Sequence, residues 1–166
     1  MKGDLVKKLN LSTTLLMLAL AVVVAGAAAA VKPKPIAFVG AYTGTAVTNT
    51  SGTTVTITAN GSGTGTLIGA GKITGTGTGD TSKQPCVPFT GTGKMSGAGG
   101  TVIFKVIPGS VGCGDEQGEN FTVTGKATIL KATGKLAKRT GTLRLTGTYD
   151  RTSGAFTAKF RGSLVK

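Results

Sequence analysis

From Ile36 to the C-terminus the chain alternates apolar and polar side chains with a period of two nearly everywhere, and no stripe of helical period interrupts it. That period puts successive side chains on opposite faces of an extended backbone, one face buried and one wet. Val55, Ile57 and Ala59 alternate with Thr54, Thr56 and Thr58. Val102, Phe104 and Val106 share one face, opposite the mixed set Ile103, Lys105 and Ile107. Phe121, Val123, Ala127 and Ile129 oppose Thr122, Thr124, Lys126 and Thr128. Leu143, Leu145 and Tyr149 oppose Thr142, Arg144, Thr146 and Thr148. Phe156, Ala158, Phe160 and Leu164 oppose Thr157, Lys159, Arg161 and Ser163.

Turn chemistry divides these runs. Asn60-Gly61 is a strong hairpin signal. Gly69 to Gly71, Gly97 to Gly100, Pro108-Gly109 and Asp150 to Gly154 are weaker breaks. The expected strands cover 36–48, 52–60, 63–69, 72–79, 86–95, 101–107 and 119–132, with 141–149 and 154–165 as a closing hairpin. They number eight or nine. Many short strands with Gly-rich turns read as an all-β antiparallel barrel or sandwich. A barrel is favoured because closure removes the edges that Thr-rich strands would expose. Gly125, Gly147 and Gly162 within strands suit tight curvature.

The first thirty residues differ. Lys2, Lys7 and Lys8 precede an apolar run from Leu11 to Val24, and small residues follow to Ala30. A basic start, an apolar middle and a small-residue end predict a secretory signal peptide over 1–30, helical before cleavage after Ala28, Ala29 or Ala30. The alternative is an uncleaved anchor, since Leu11 to Val31 is just long enough to span a bilayer. Residues 31–35 (Val-Lys-Pro-Lys-Pro) read as an extended leader and 36–166 as one domain.

The whole chain has 19 basic and 6 acidic residues; without Lys2, Lys7, Lys8 and Asp4 it keeps 16 and 5, a net +11. Such a field favours anionic partners, or serves solubility alone. Cys86 and Cys113, placed in an oxidising compartment, are expected to form a disulfide. A metal pair is a poor alternative, because zinc takes four N or S ligands and the chain has no histidine.

No motif carries catalysis. Without histidine the usual base for a serine or cysteine nucleophile is missing. Five acids leave few carboxylate pairs. The Gly-rich runs lack the Lys-Ser/Thr of a phosphate loop. Aromatics do not interleave with the bases as single-stranded nucleic acid would require. Thr-Gly-Thr occurs seven times, at irregular spacing. It therefore fits outward strand threonines better than an ice- or polymer-binding ladder. Asp115, Glu116, Glu119 and Asn120 form an acidic loop, a conceivable calcium site or, in preference, a solvated turn. Asn49, Asn60 and Asn120 stand in formal glycosylation sequons.

Residues 129–149 carry a longer pattern. Thr133, Gly134, Lys135, Leu136, Ala137, Thr140 and Gly141 resemble the strand–turn–strand signature of secreted barrels of the allene oxide cyclase or dirigent-like kind. Lys131-Ala132 stand where that family often has two glycines, and Lys138-Arg139 where it has a small pair. The resemblance implies an eight-stranded antiparallel barrel. It carries no activity, because fold does not settle function.

These readings converge on a secreted, non-enzymatic β-barrel that acts by binding or as a surface component, with no cofactor, no metal and no stable membrane insertion after cleavage. One expected surface is the barrel mouth, lined by Phe104, Phe121, Tyr149 and Phe160 and suited to a small apolar ligand. The other is a basic outer face with Lys126, Arg144, Lys159 and Arg161, suited to an anionic polymer. The alternative is a cyclase or isomerase that shapes an apolar substrate inside the barrel. An outer-membrane barrel is disfavoured, because the outward residues are Thr, Lys and Arg.

Overall fold

The computed structural model describes residues 34–166; the predicted signal peptide and residues 31–33 of the predicted leader lie outside them. The described chain is all-β. Eight strands follow in order: β1 (Ile36–Ser51), β2 (Thr54–Gly65), β3 (Gly69–Asp80), β4 (Cys86–Gly97), β5 (Gly100–Gly114), β6 (Asn120–Ala132), β7 (Thr142–Asp150) and β8 (Ala155–Leu164). Each pairs antiparallel with the next, and β1 pairs with β8 from Ile36↔Leu164 to Thr45↔Ala155 to close the barrel. Closure leaves no strand with unpaired backbone along a whole edge.

Up-and-down topology gives the barrel two unlike ends. One carries the β2–β3, β4–β5 and β6–β7 connections, the start of β1 and the end of β8. Here the core is solid. Phe38, Ile68, Met95, Val102, Leu136, Leu143 and Leu164 are all almost fully buried. Each such side chain contributes about 1.5–3 kcal/mol by leaving water. Gly134 opens the β6–β7 connection at φ 62°, a left-handed conformation that suits glycine. A 3-10 turn over Gly134–Leu136 then drops Leu136 into the barrel. Lys135 N donates to Gly99 O at 2.8 Å and Thr133 N to Thr101 O at 2.9 Å, tying this plug to the β4–β5 turn. The Thr-Gly-Lys-Leu pattern is thus the stopper of the closed end.

Two predicted breaks are corrected. The predicted strands 52–60 and 63–69 are one strand, β2, which runs through Asn60-Gly61. Asn60 pairs with Thr45 and Thr74, and Gly61 with Gly44 and Ile73. A Cβ on Gly61 would collide with the Thr43 carbonyl, so this glycine permits close strand approach rather than a turn. The turn comes at Thr66–Ile68, with Leu67 at φ 62°. Pro108-Gly109 does not end its strand either. It makes a bulge in β5, where pairing slips between Phe89 and Gly91 on one side and Val106 and Val111 on the other. Ser110 is buried beneath it. Its Oγ donates to Ile107 O (2.9 Å) and accepts from Lys126 N (3.2 Å), which satisfies backbone groups that the bulge frees.

Candidate functional site

The other end of the barrel, at the β1–β2, β3–β4, β5–β6 and β7–β8 connections, is open. A cavity of about 340 Å³ reaches inward from it. Its walls are the inward face of the alternation: Val55, Ile57, Ile73, Val106, Val123 and Leu145 among others. Glycine at inward positions such as Gly75 of β3 and Gly112 of β5 leaves this space without side chains, whereas a Cβ on Gly77 or Gly91 would meet the backbone of the facing strand. Gly93 has a different use. A Cβ there would collide with the Phe104 ring, so its absence lets that ring lie flat against β4.

All four predicted mouth aromatics line the cavity. They divide by depth. Phe104 and Phe160 are buried, their ring centroids 5.1 Å apart. With Tyr42, whose ring centroid is 6.3 Å from that of Phe160, they separate the cavity from the solid core. Phe121 and Tyr149 are half-buried nearer the opening, 6.2 Å apart. Tyr149 Oη donates a long bond, 3.5 Å, to Thr48 Oγ1. Sequence reasoning missed Phe89 and Phe156, which also line the cavity. Phe156 was visible in the β8 alternation, and Phe89 follows Val87 at the same spacing of two. The polar rim residues Thr81, Gln84 and Arg151 lie in connections, where period two gives no facing.

Charge divides along the barrel axis. The five described acids (Asp80, Asp115, Glu116, Glu119 and Asp150) all sit in or beside the connections of the open end. Three of these carboxylates brace the loops. Asp150 accepts from Thr152 N (2.8 Å) and Ser153 N (3.0 Å), which holds its carboxyl below the ordinary value. Asp115 accepts from Asn120 Nδ2 (2.8 Å) and Glu119 N (2.9 Å), with the same result. Asp80 accepts from Ser82 N (3.0 Å) and is likewise lowered. The acidic loop after Cys113 is therefore a stapled turn, with both Asp115 oxygens committed to it.

The predicted basic face is a lateral row. Lys126 stands directly opposite Arg144, and Arg144 opposite Arg161. Lys159 lies two residues along β8, opposite Thr146. All four are exposed. Like charges side by side in a sheet cost stability, so this row is not explained by the fold's own energetics. Cys86 and Cys113, paired across β4 and β5 near the open end, form a disulfide. That bond fits an oxidising compartment.

The chain matches no protein-family model and no curated protein.

Proposed function

We propose that this chain is a secreted, non-enzymatic binding protein that holds a small, uncharged apolar molecule in the open end of its barrel. We further propose that it is one of the secreted barrels of the allene oxide cyclase or dirigent-like kind. The observation that carries the binding reading is the cavity of about 340 Å³ with apolar walls. Ligand sites start near 300 Å³, and an apolar cavity less than half this size already holds benzene. Two or three fused or linked rings, or a branched hydrocarbon of similar bulk, fill the space. No carboxylate is among the cavity's described lining side chains, and Tyr149 and Arg151 are its titratable groups. That inventory supports holding a ligand rather than acid–base turnover. The acidic surplus at the rim disfavours anionic ligands, and the apolar walls favour uncharged ones. For the family reading, the support is the eight-stranded closure and the Thr133–Leu136 stopper.

The test is a native mass spectrum of the protein purified from its own secretion medium. The expected result is an added small mass that leaves on denaturation. A bare mass, together with no uptake of the neutral fluorescent probe N-phenylnaphthylamine, would refute the binding reading.

A further inference from the structure

Large apolar side chains are exposed at five places among the described residues, and four of them are on or near the closed rim. Leu67 (38% exposed) is at the β2–β3 turn, Val39 (51%) near the start of β1, Leu130 (56%) near the end of β6 and Val165 (43%) just after β8. In barrel order these elements run β6, β7, β8, β1, β2, so the four form one arc. The register joins them. Leu130 is unpaired with β5, left out where the register slips between Ile129 and Lys131. Val165 bridges Thr140 in the β6–β7 connection. Thr66 N donates to Val39 O (2.9 Å) and Val39 N to Thr66 Oγ1 (2.9 Å), which fixes the Leu67 turn beside β1.

Cations fill the gaps of the same arc. Lys131, Lys135, Lys138, Arg139 and Lys166 stand on it, and the described chain begins there at Lys34. No acid lies on this end among the described residues, since all five are at the mouth. The Arg144–Arg161 pair continues the positive field up the wall.

We infer that this rim is a docking surface for an anionic lipid bilayer, on which the barrel stands with its mouth directed away. Cations alone would suit any polyanion. The exposed leucines and valines interleaved with them favour lipid, where apolar side chains enter the interface while lysines meet the headgroups. The acidic mouth is repelled by the same surface, so attraction and repulsion fix one orientation.

The test is co-sedimentation with vesicles of phosphatidylcholine alone and with about one third phosphatidylglycerol, a composition chosen for its negative surface potential. Binding is expected on the anionic vesicles only, and it weakens as salt rises. Lys131→Gln, Lys135→Gln and Lys166→Gln together should weaken it about 100-fold, the product of three single-charge effects at the surface. Leu67→Asn with Leu130→Ser should weaken vesicle binding about tenfold, by withdrawing two side chains from the interface. This second variant should leave retention on a heparin column unchanged. Amide exchange of the unaltered protein on vesicles should slow at 130–140 and 164–166 and not at 115–119 or 151–154. Heparin retention without vesicle binding would overturn the inference in favour of a polymer. Equal binding to neutral vesicles, or protection at the mouth loops, would overturn it too.

Discussion

Gly112 is the position at which ligand binding and stability can be driven in opposite directions. It lies on β5 at the cavity wall, and a Cβ built on it meets nothing nearer than Phe121 Cδ1 at 3.9 Å. The Cβ of a Gly112→Leu side chain therefore makes only ordinary van der Waals contact as it enters the mouth. Removing a strand glycine gains about 0.5–1 kcal/mol, because glycine loses the most freedom on folding. The same four carbons exclude ligand. A probe of N-phenylnaphthylamine size, at about 0.4 kcal/mol per heavy atom, binds with about −7 kcal/mol, a Kd near 10 μM. Losing the burial of about four methylene equivalents costs about 3 kcal/mol and moves the Kd toward 1 mM. The assay is a fluorescence titration beside a thermal melt. The expected pair is a Tm at or above the parent's and a titration with no saturation. A variant that melts as high and still binds at the parental Kd would refute the mouth as the ligand site.

Three further outcomes are expected. Tyr42 Oη is buried without a hydrogen-bond partner, and burial pushes its ionisation up; Tyr42→Phe should raise stability by about 1 kcal/mol in denaturant unfolding, since an unsatisfied buried hydroxyl costs 1–3 kcal/mol. A loss of stability instead would mean that the hydroxyl is bonded in solution. Cys86→Ala with Cys113→Ala reopens a loop of sequence separation 27. On the chain-entropy estimate that costs about 3–4 kcal/mol, read as a lower denaturant midpoint. Asp80, Asp115 and Asp150 have lowered carboxyl values, so their contribution is complete above the ordinary aspartate value of about 3.9 and is lost as pH falls through the depressed folded values. Amide protection factors at Ser82, Glu119, Thr152 and Ser153 should therefore fall on acidification before those at Met95 or Val102. A uniform fall in protection across loops and core would disprove the loop-bracing role.

Most of the barrel is legible in the sequence, because period two is enforced by the geometry of a strand that is buried on one side. The inward faces of β5 to β8 follow from that rule alone, and with them the four mouth aromatics. Asn60-Gly61 misled because the same dipeptide that suits a turn also suits two strands in close contact. The Thr43 carbonyl that makes Gly61 necessary is seventeen residues upstream of Asn60, beyond any local pattern. Pro108-Gly109 misled for a related reason: the lost pairing is made good by Ser110 beneath β6. The cavity itself is a property of absent side chains. A run such as Thr-Gly-Thr says which positions are small, yet only closure of the sheet turns those positions into enclosed space. The axial division of charge was equally hidden, since it depends on which turns share an end.

Every strand pairs with its neighbours in sequence except at one seam, where β1 meets β8. Hairpins can assemble in order as the chain appears, at low loop-closure cost, until the ten residues of β8 arrive. Until then β1 and β7 both present open edges, and the sheet is a template for the wrong partner. The hazardous interval in this protein's life is thus the wait for its C-terminal strand. Loss of β8 would leave a sheet prone to pairing with other copies rather than a smaller barrel.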